Sequence, residues 1–318
     1  MKHATIGDTK SNQSILPRRF STVCSGSACA FIFACSCSQV LAVEPYEHKE
    51  LEDALRCSEL GDFVQSARIL RNLHKHHPND VFILTKLGDA YMNNIQDLSE
   101  STKLAEQCFK RAIEIDPQYG EPYAKLAECA GARGDFDLGI KLSTKAMTVK
   151  EPDFSALKER AAAYSHLKRD KEALADIDHY LTFKPKNTRK LLLLKASILE
   201  NLKRYGEALI QYRAFLKEHY EDQLVYREVA CLEGMNKPDE ALKTLDHLIL
   251  HNKEDDAAYL TRARLNEKQG RHKQAIADYT ASFDLQPSTK VLKERAAVYD
   301  NMGRKDLAEK DRREAERL

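Results

Sequence analysis

The chain has no tryptophan, and only nine prolines and twelve glycines in 318 residues. So few helix-breaking residues suit a helical soluble protein. It also lacks an excess of either charge: 50 Lys and Arg stand against 49 Asp and Glu. Residues 1–42 carry Lys2, Lys10, Arg18 and Arg19 against Asp8, a balance of +3, and the remainder is −2. No one-signed field is left to steer a polyanion, which argues against a nucleic-acid binder. Signatures of catalysis are missing after residue 42 as well. There is no GxSxG elbow, no GxxxxGK[ST] phosphate loop, no GxGxxG and no HExxH. No CxxC joins Cys57, Cys108, Cys129 and Cys231, so neither a zinc ribbon nor a thioredoxin-like site is indicated. These four read as small buried thiols. His74, His76 and His77 in HKHHP read as histidines near a helix C-terminus rather than metal ligands, which need convergent geometry and further donors. We expect no cofactor, no metal and no enzyme.

What the chain does have is a period. Residues 256–289, DAAYLTRARLNEKQGRHKQAIADYTASFDLQPST, read as two short amphipathic helices joined by a turn at Gly270 and closed by Pro287. Ala275, Tyr279 and Ser282 share one face of the second helix. Small Ala263 and Ala275 fall where two helices must approach closely, and Gly270 supplies the permissive backbone of the turn. Neither helix can bury its stripe alone, so each hairpin needs neighbours. The same pattern recurs over about 47–80, 81–119, 120–153, 154–187, 188–222, 223–255, 256–289 and 289–318. The second unit is about five residues too long around NNIQDLSES, the fifth is one residue long and the sixth one short. The last segment, DLAEKDRREAERL, is charged enough to cap a stack with a polar face.

Large and small residues at these offsets, then Gly, then Pro, resemble the tetratricopeptide repeat. The resemblance covers about residues 47–318. It implies an all-α fold, an α–α superhelix of about eight helical hairpins over residues 43–318, with the first helix of each repeat lining a concave groove. It also implies that positions two, five, nine and twelve of each repeat face that groove. Position five then holds Lys158, Leu193, Arg227, Leu260 and Lys293, position nine of the seventh repeat holds Arg264, and position twelve of the fourth holds Ser165. A mixed basic and apolar groove suits an extended or helical peptide carrying acidic groups. The chaperone-binding members of the family use a carboxylate clamp with Asn at position nine. Here that slot holds Glu128, Ala162, Ser197 and Ala297, so that activity is not carried over.

Comparing the repeats with one another exposes a covariation. Arg160, Arg262 and Arg295 occupy position seven, and the same three repeats carry Asp176, Asp278 and Asp311 at position twenty-three. Repeats with Leu87 and Leu126 at position seven hold Cys108 and Leu142 instead of Asp. The expectation is an Arg–Asp pair bridging the two helices of one hairpin, because the planar guanidinium fork suits a carboxylate.

Residues 1–42 stand apart from the array. Arg18-Arg19 precede an uncharged stretch over 23–43, and Val40-Leu41-Ala42 offers small residues for cleavage. That is the order of a secretory signal peptide cut after Ala42. Retention as a membrane anchor, lipidation at Cys35 or Cys37, a twin-arginine signal and an unstructured start remain open. Together these features point to a non-catalytic protein–protein interaction scaffold or assembly factor, exported to the periplasm or secreted. It would bind a protein or peptide in its groove and no nucleic acid, with membrane attachment if the N-terminal segment is retained. An accessory or substrate-delivery module for an envelope enzyme complex is the alternative.

Overall fold

The computed structural model describes residues 45–94, 98–218 and 220–318. The expected export segment, with Cys24, Cys29, Cys35 and Cys37, lies outside them. The described residues form sixteen helices in eight consecutive pairs. The first four pairs are α1 (Pro45–Glu59) with α2 (Phe63–His76), α3 (Val81–Met92) with α4 (Leu98–Ile115), α5 (Glu121–Ala132) with α6 (Phe136–Thr148), and α7 (Ala156–His166) with α8 (Asp170–Thr182). The last four are α9 (Arg189–Asn201) with α10 (Tyr205–Glu218), α11 (Asp222–Gly234) with α12 (Pro238–His251), α13 (Asp256–Lys268) with α14 (His272–Leu285), and α15 (Thr289–Asn301) with α16 (Lys305–Ala315). The second helix of each hairpin packs on the first helix of the next, and the whole is an all-α superhelix.

One turn joins the two helices of a hairpin over and over. A residue with positive φ ends the first helix, and the amide after it returns to a carbonyl five residues back, closing the helix end as a Schellman-type cap. The bond runs Asp135 N–H to Ala130 O at 2.9 Å, Arg169 N–H to Tyr164 O at 2.8 Å, and Lys237 N–H to Leu232 O at 2.9 Å. Arg271 N–H reaches Asn266 O in the same way, at 2.8 Å. Gly270 takes the left-handed position at φ 70°, but Lys168, Lys203 and Asn236 fill it in the fourth to sixth hairpins at 60°, 59° and 58°. Asp135 then caps α6 through its carboxylate, which accepts from Leu138 N–H at 3.2 Å.

Small residues set the spacing inside each hairpin. Ala161 with Ala173, Ala196 with Ala208, Ala263 with Ala275, and Ala296 with Ala308 are all buried at the crossing of the two helices. In the second hairpin Gly88 takes the alanine's place, because the Phe109 ring lies where its Cβ would be, 2.6 Å away. The larger apolar residues fill the layers between hairpins, with Tyr212, Ile177, Leu232, Leu245 and Tyr279 fully enclosed. Burying a side chain of that size stabilises by about 1.5–3 kcal/mol. The extra length of the second repeat goes partly into α4, which runs for 18 residues where α3 has 12. Residues 95–97, the rest of that excess, are outside the described residues.

Candidate partner-binding surface

The polar seam between hairpins comes before the surface, because it fixes how the first helices line up. Arg160 forks onto Asp176, Nε to Oδ2 at 2.7 Å and Nη2 to Oδ1 at 2.8 Å. Arg262 does the same to Asp278 at 3.0 and 2.7 Å, and Arg295 to Asp311 at 2.8 and 2.8 Å. The three aspartates are buried. The third nitrogen of each guanidinium points elsewhere. Nη1 donates to Thr144 at 3.0 Å, to Asp246 at 2.6 Å and to Thr280 at 2.9 Å, respectively, each on the second helix of the preceding hairpin. Each arginine therefore ties three helices.

The same position is charged in the two intervening hairpins. Lys195 of α9 reaches back to Asp178 of α8 at 2.7 Å. Glu228 of α11, which is buried, accepts from Arg213 of α10 at 2.8 Å, with the sign of the pair reversed. From the fourth hairpin to the eighth, then, position seven is bonded to the hairpin before it. Comparing residues within repeats could not show this, because the preceding partner is by turns Thr, Asp, Arg, Asp and Thr.

The exposed face of the first helices carries a second set of pairs, and three of the seven predicted groove residues belong to it. Arg264 on α13 donates through Nε and Nη2 to both oxygens of Glu294 on α15, at 2.7 and 2.7 Å. Arg227 on α11 lies 3.1 Å from Glu200 on α9. Lys158 on α7 meets Glu159 at 3.2 Å. Lys293 is exposed and makes no hydrogen bond or ion pair among the described residues. Ser165 is half-buried. Leu193 and Leu260 are half-buried against the apolar layers and present little free surface. The face is therefore not the row of free cations that an acidic peptide would use; three of the four predicted cations already hold a carboxylate.

The register of α11 also differs from the expectation. The turn bonds Lys237 N–H to Leu232 O and Arg271 N–H to Asn266 O are equivalent, so Leu232 matches Asn266 and Tyr226 matches Leu260. Arg227 consequently stands one residue beyond position five. Its missing residue falls in the loop before α11, which shifts nothing inside the hairpin. Tyr226, at position five, donates its hydroxyl to Asp255 at 2.7 Å. Burial and that carboxylate hold the phenol well above its ordinary range.

Similar pairs run through the earlier hairpins. Lys125 on α5 meets Asp89 on α3 at 2.5 Å, and Lys86 on α3 meets Glu121 on α5 at 2.5 Å. Burial acts to lower the Lys125 ammonium, but Asp89 and Glu128 hold it above the usual lysine range. Glu159 has the opposite problem: burial, and then the neighbouring Glu128, push its carboxyl up against the pull of Lys158. These pairs join position nine of one first helix to position six of the next, or lie close to that line. Opposite charges about one period apart were the signal available in the sequence.

A cavity of about 600 Å³ opens on this face across α11, α13 and α15. Arg264 and Glu294 line it, with Glu233, Glu267, Lys268 and His272. Lys268 is bonded to Glu233 at 2.9 Å, and the buried Tyr279 donates its hydroxyl to Glu267 at 2.8 Å. No group of three or more His, Cys, Asp or Glu among the described residues is placed to hold a metal ion. No described helix is long and apolar enough to cross a membrane.

Comparison with known proteins fits this geometry. Two tetratricopeptide repeat family models match, over residues 83–119 and 232–288. A wheat (Triticum aestivum) Hsp70-Hsp90 organizing protein is 28% identical over 182 residues, which is 53% of this chain and 30% of that protein. The chain thus spans less than a third of that relative's length. Among solved structures, YrrB, a TPR protein with an unusual peptide-binding site, aligns with a TM-score of 0.50 at 17% identity, covering 58% of this chain and 96% of that one. PilW, a type IV pilus biogenesis factor, aligns at 0.53 and 13% identity, covering 65% and 94%. At such identities these two show the fold alone. The protein is an all-α superhelix whose residues 83–119 and 232–288 match tetratricopeptide repeat models.

Proposed function

We propose that this protein is a non-catalytic scaffold or assembly factor that holds a peptide segment or subunit of a partner protein along the face built by its first helices. The observation that carries this reading is the makeup of that face. Its backbone is locked by the seam beneath, while its side chains are half-exposed charged groups in pairs that a partner can rearrange. A pre-organised surface of this kind loses little conformational entropy on binding. The wheat relative, named as an organizer of Hsp70 and Hsp90, supports a role in bringing proteins together. The site of action is outside the cytoplasm, a reading supported by the Arg18-Arg19 pair and the uncharged stretch over 23–43.

Lysine-directed crosslinking in the native host, followed by mass spectrometry, tests the reading. One dominant partner joined through Lys158, Lys290 or Lys293 is the expected result. A partner joined only through second helices, or no partner at all, overturns it. The same spectra report the N-terminus: a mature chain beginning at Val43 supports export, and a chain that keeps residues 1–42 without membrane association refutes it.

A further inference from the structure

The cavity across α11, α13 and α15 has an electrostatic character that its lining residues fix. Three carboxylates, Glu233, Glu267 and Glu294, face two permanent cations, Arg264 and Lys268, so carboxylates outnumber these cations by one. Both cations are committed. Arg264 is bonded to both oxygens of Glu294, and Lys268 to one oxygen of Glu233. Two of the carboxylates keep an open acceptor oxygen. Glu267 receives Tyr279 on Oε2 alone, leaving Oε1. Glu233 receives Lys268 on Oε1, leaving Oε2. Burial and Glu267 hold the Tyr279 phenol well above its ordinary range, so it stays a donor and keeps the Glu267 carboxylate oriented.

We propose that this cavity receives the guanidinium of an arginine presented by the partner protein. The proposal rests on the scaffold reading above and names the chemistry of its ligand. A guanidinium carries five donors in a planar fork and a permanent charge. It complements two free carboxylate oxygens and neutralises the cavity's surplus. An acidic side chain meets the reverse: it would bring a further negative charge to three carboxylates that already outnumber the cations. A volume of about 600 Å³ is far more than one side chain requires, which leaves room for the flanking backbone.

Selection of a phage-displayed random peptide library on the full chain tests this. The enriched peptides should share an arginine. Glu267→Gln keeps the side-chain volume and an acceptor for Tyr279 but removes the charge. It should weaken a selected peptide about tenfold, the scale of one charge-assisted hydrogen bond. Ala297→Trp, at an exposed position of the lining, should abolish binding by filling the cavity. Circular dichroism checks that both variants stay folded, and Glu267→Gln keeps the test open should the tryptophan disturb α15. A consensus without a basic residue overturns the assignment while leaving the scaffold reading intact. So does an arginine consensus whose affinity neither variant changes. A library that enriches no peptide overturns both.

Discussion

The Arg262–Asp278 fork offers a sharp energetic test, because the protein contains its own reference state. Repeats two and three have Leu87 with Cys108 and Leu126 with Leu142 at the equivalent positions. An apolar pair is therefore compatible with this packing. Arg262→Leu leaves Asp278 buried, with only the Asn266 amide at 3.2 Å to replace two charge-assisted bonds. A fully buried charge stripped of its partner costs about 3–5 kcal/mol; with Asn266 remaining, the loss is about 2.5 kcal/mol. Asp278→Leu is milder. The Arg262 side chain is 22% exposed and keeps Asp246, so the loss is about 1.5 kcal/mol. The double variant removes both desolvated groups and costs only about 1 kcal/mol. The coupling, double minus the two singles, is then about −3 kcal/mol, at the upper end for contacting residues. Repeat arrays do not unfold as one unit, so the readout is hydrogen exchange of the α13 and α14 amides rather than a global melt. If the single and double variants lose protection additively, the fork is not a coupled pair and the argument fails.

Three further outcomes follow from other parts of the chain. Glu159 is held above its ordinary value, so the folded state binds more protons than the unfolded one. Stability therefore falls as pH rises from the unfolded carboxylate range through the folded value. Glu159→Gln should accordingly raise the melting temperature at pH 7, with the gain shrinking as pH falls through the folded value and gone below about 4, the unfolded carboxylate range; a gain independent of pH refutes the assignment. Burial pushes the Cys108, Cys129 and Cys231 thiols up to about 11, so at pH 8 they should react with a disulfide reagent only after unfolding, as counted by mass spectrometry. A Cβ on Gly120 would lie 2.5 Å from Ala146 O and 2.6 Å from Asp153 N, both backbone atoms that cannot swing aside. Gly120→Ala should cost at least about 2 kcal/mol in a urea titration, at the high end for overpacking, whereas Gly131→Ala, which meets nothing, should cost little.

The sequence made the hairpins legible because their signals are local. The alanines at the helix crossings, the turn residues and the Arg–Asp columns recur at fixed offsets inside one repeat, so eight copies act as an internal alignment. The contacts between repeats leave no such trace. Position seven bonds to the hairpin before it in five successive repeats, yet its partners there are Thr144, Asp178, Arg213, Asp246 and Thr280. Any group that can share a hydrogen bond or a charge serves, so chemistry is kept while residue type is not. The exposed face is harder still. Arg227 and Arg264 look like free cations when read one helix at a time, and each is spoken for once the carboxylate of the neighbouring first helix is in place.

Register decides which residues reach the surface. The buried columns tolerate a small error in counting, since turn bonds and alanine crossings pin each hairpin independently of the loop before it. An outward position has no such anchor. One residue of slip rotates a helical side chain by about 100°, enough to exchange a groove position for its neighbour. That is the fate of Arg227. A period counted through the short sixth repeat puts it at position five, whereas the turn bond at Leu232 gives that place to Tyr226. The chemistry offered there changes from a guanidinium to a phenol fixed on Asp255. The difference can be measured on the protein itself. Tyr226→Phe should free the Asp255 carboxylate, which also accepts from Ala258 N–H at the start of α13. Losing a hydrogen bond to a charged acceptor costs about 1.5–3 kcal/mol, and the exposed edge of this one keeps the expected loss near the lower figure. It should appear as faster amide exchange in the first turn of α13, while Arg227→Ala should leave that turn unchanged and loosen only its contacts with Ser197 and Glu200 on α9 and Tyr212 on α10. The opposite pattern would restore the period count and return Arg227 to the groove.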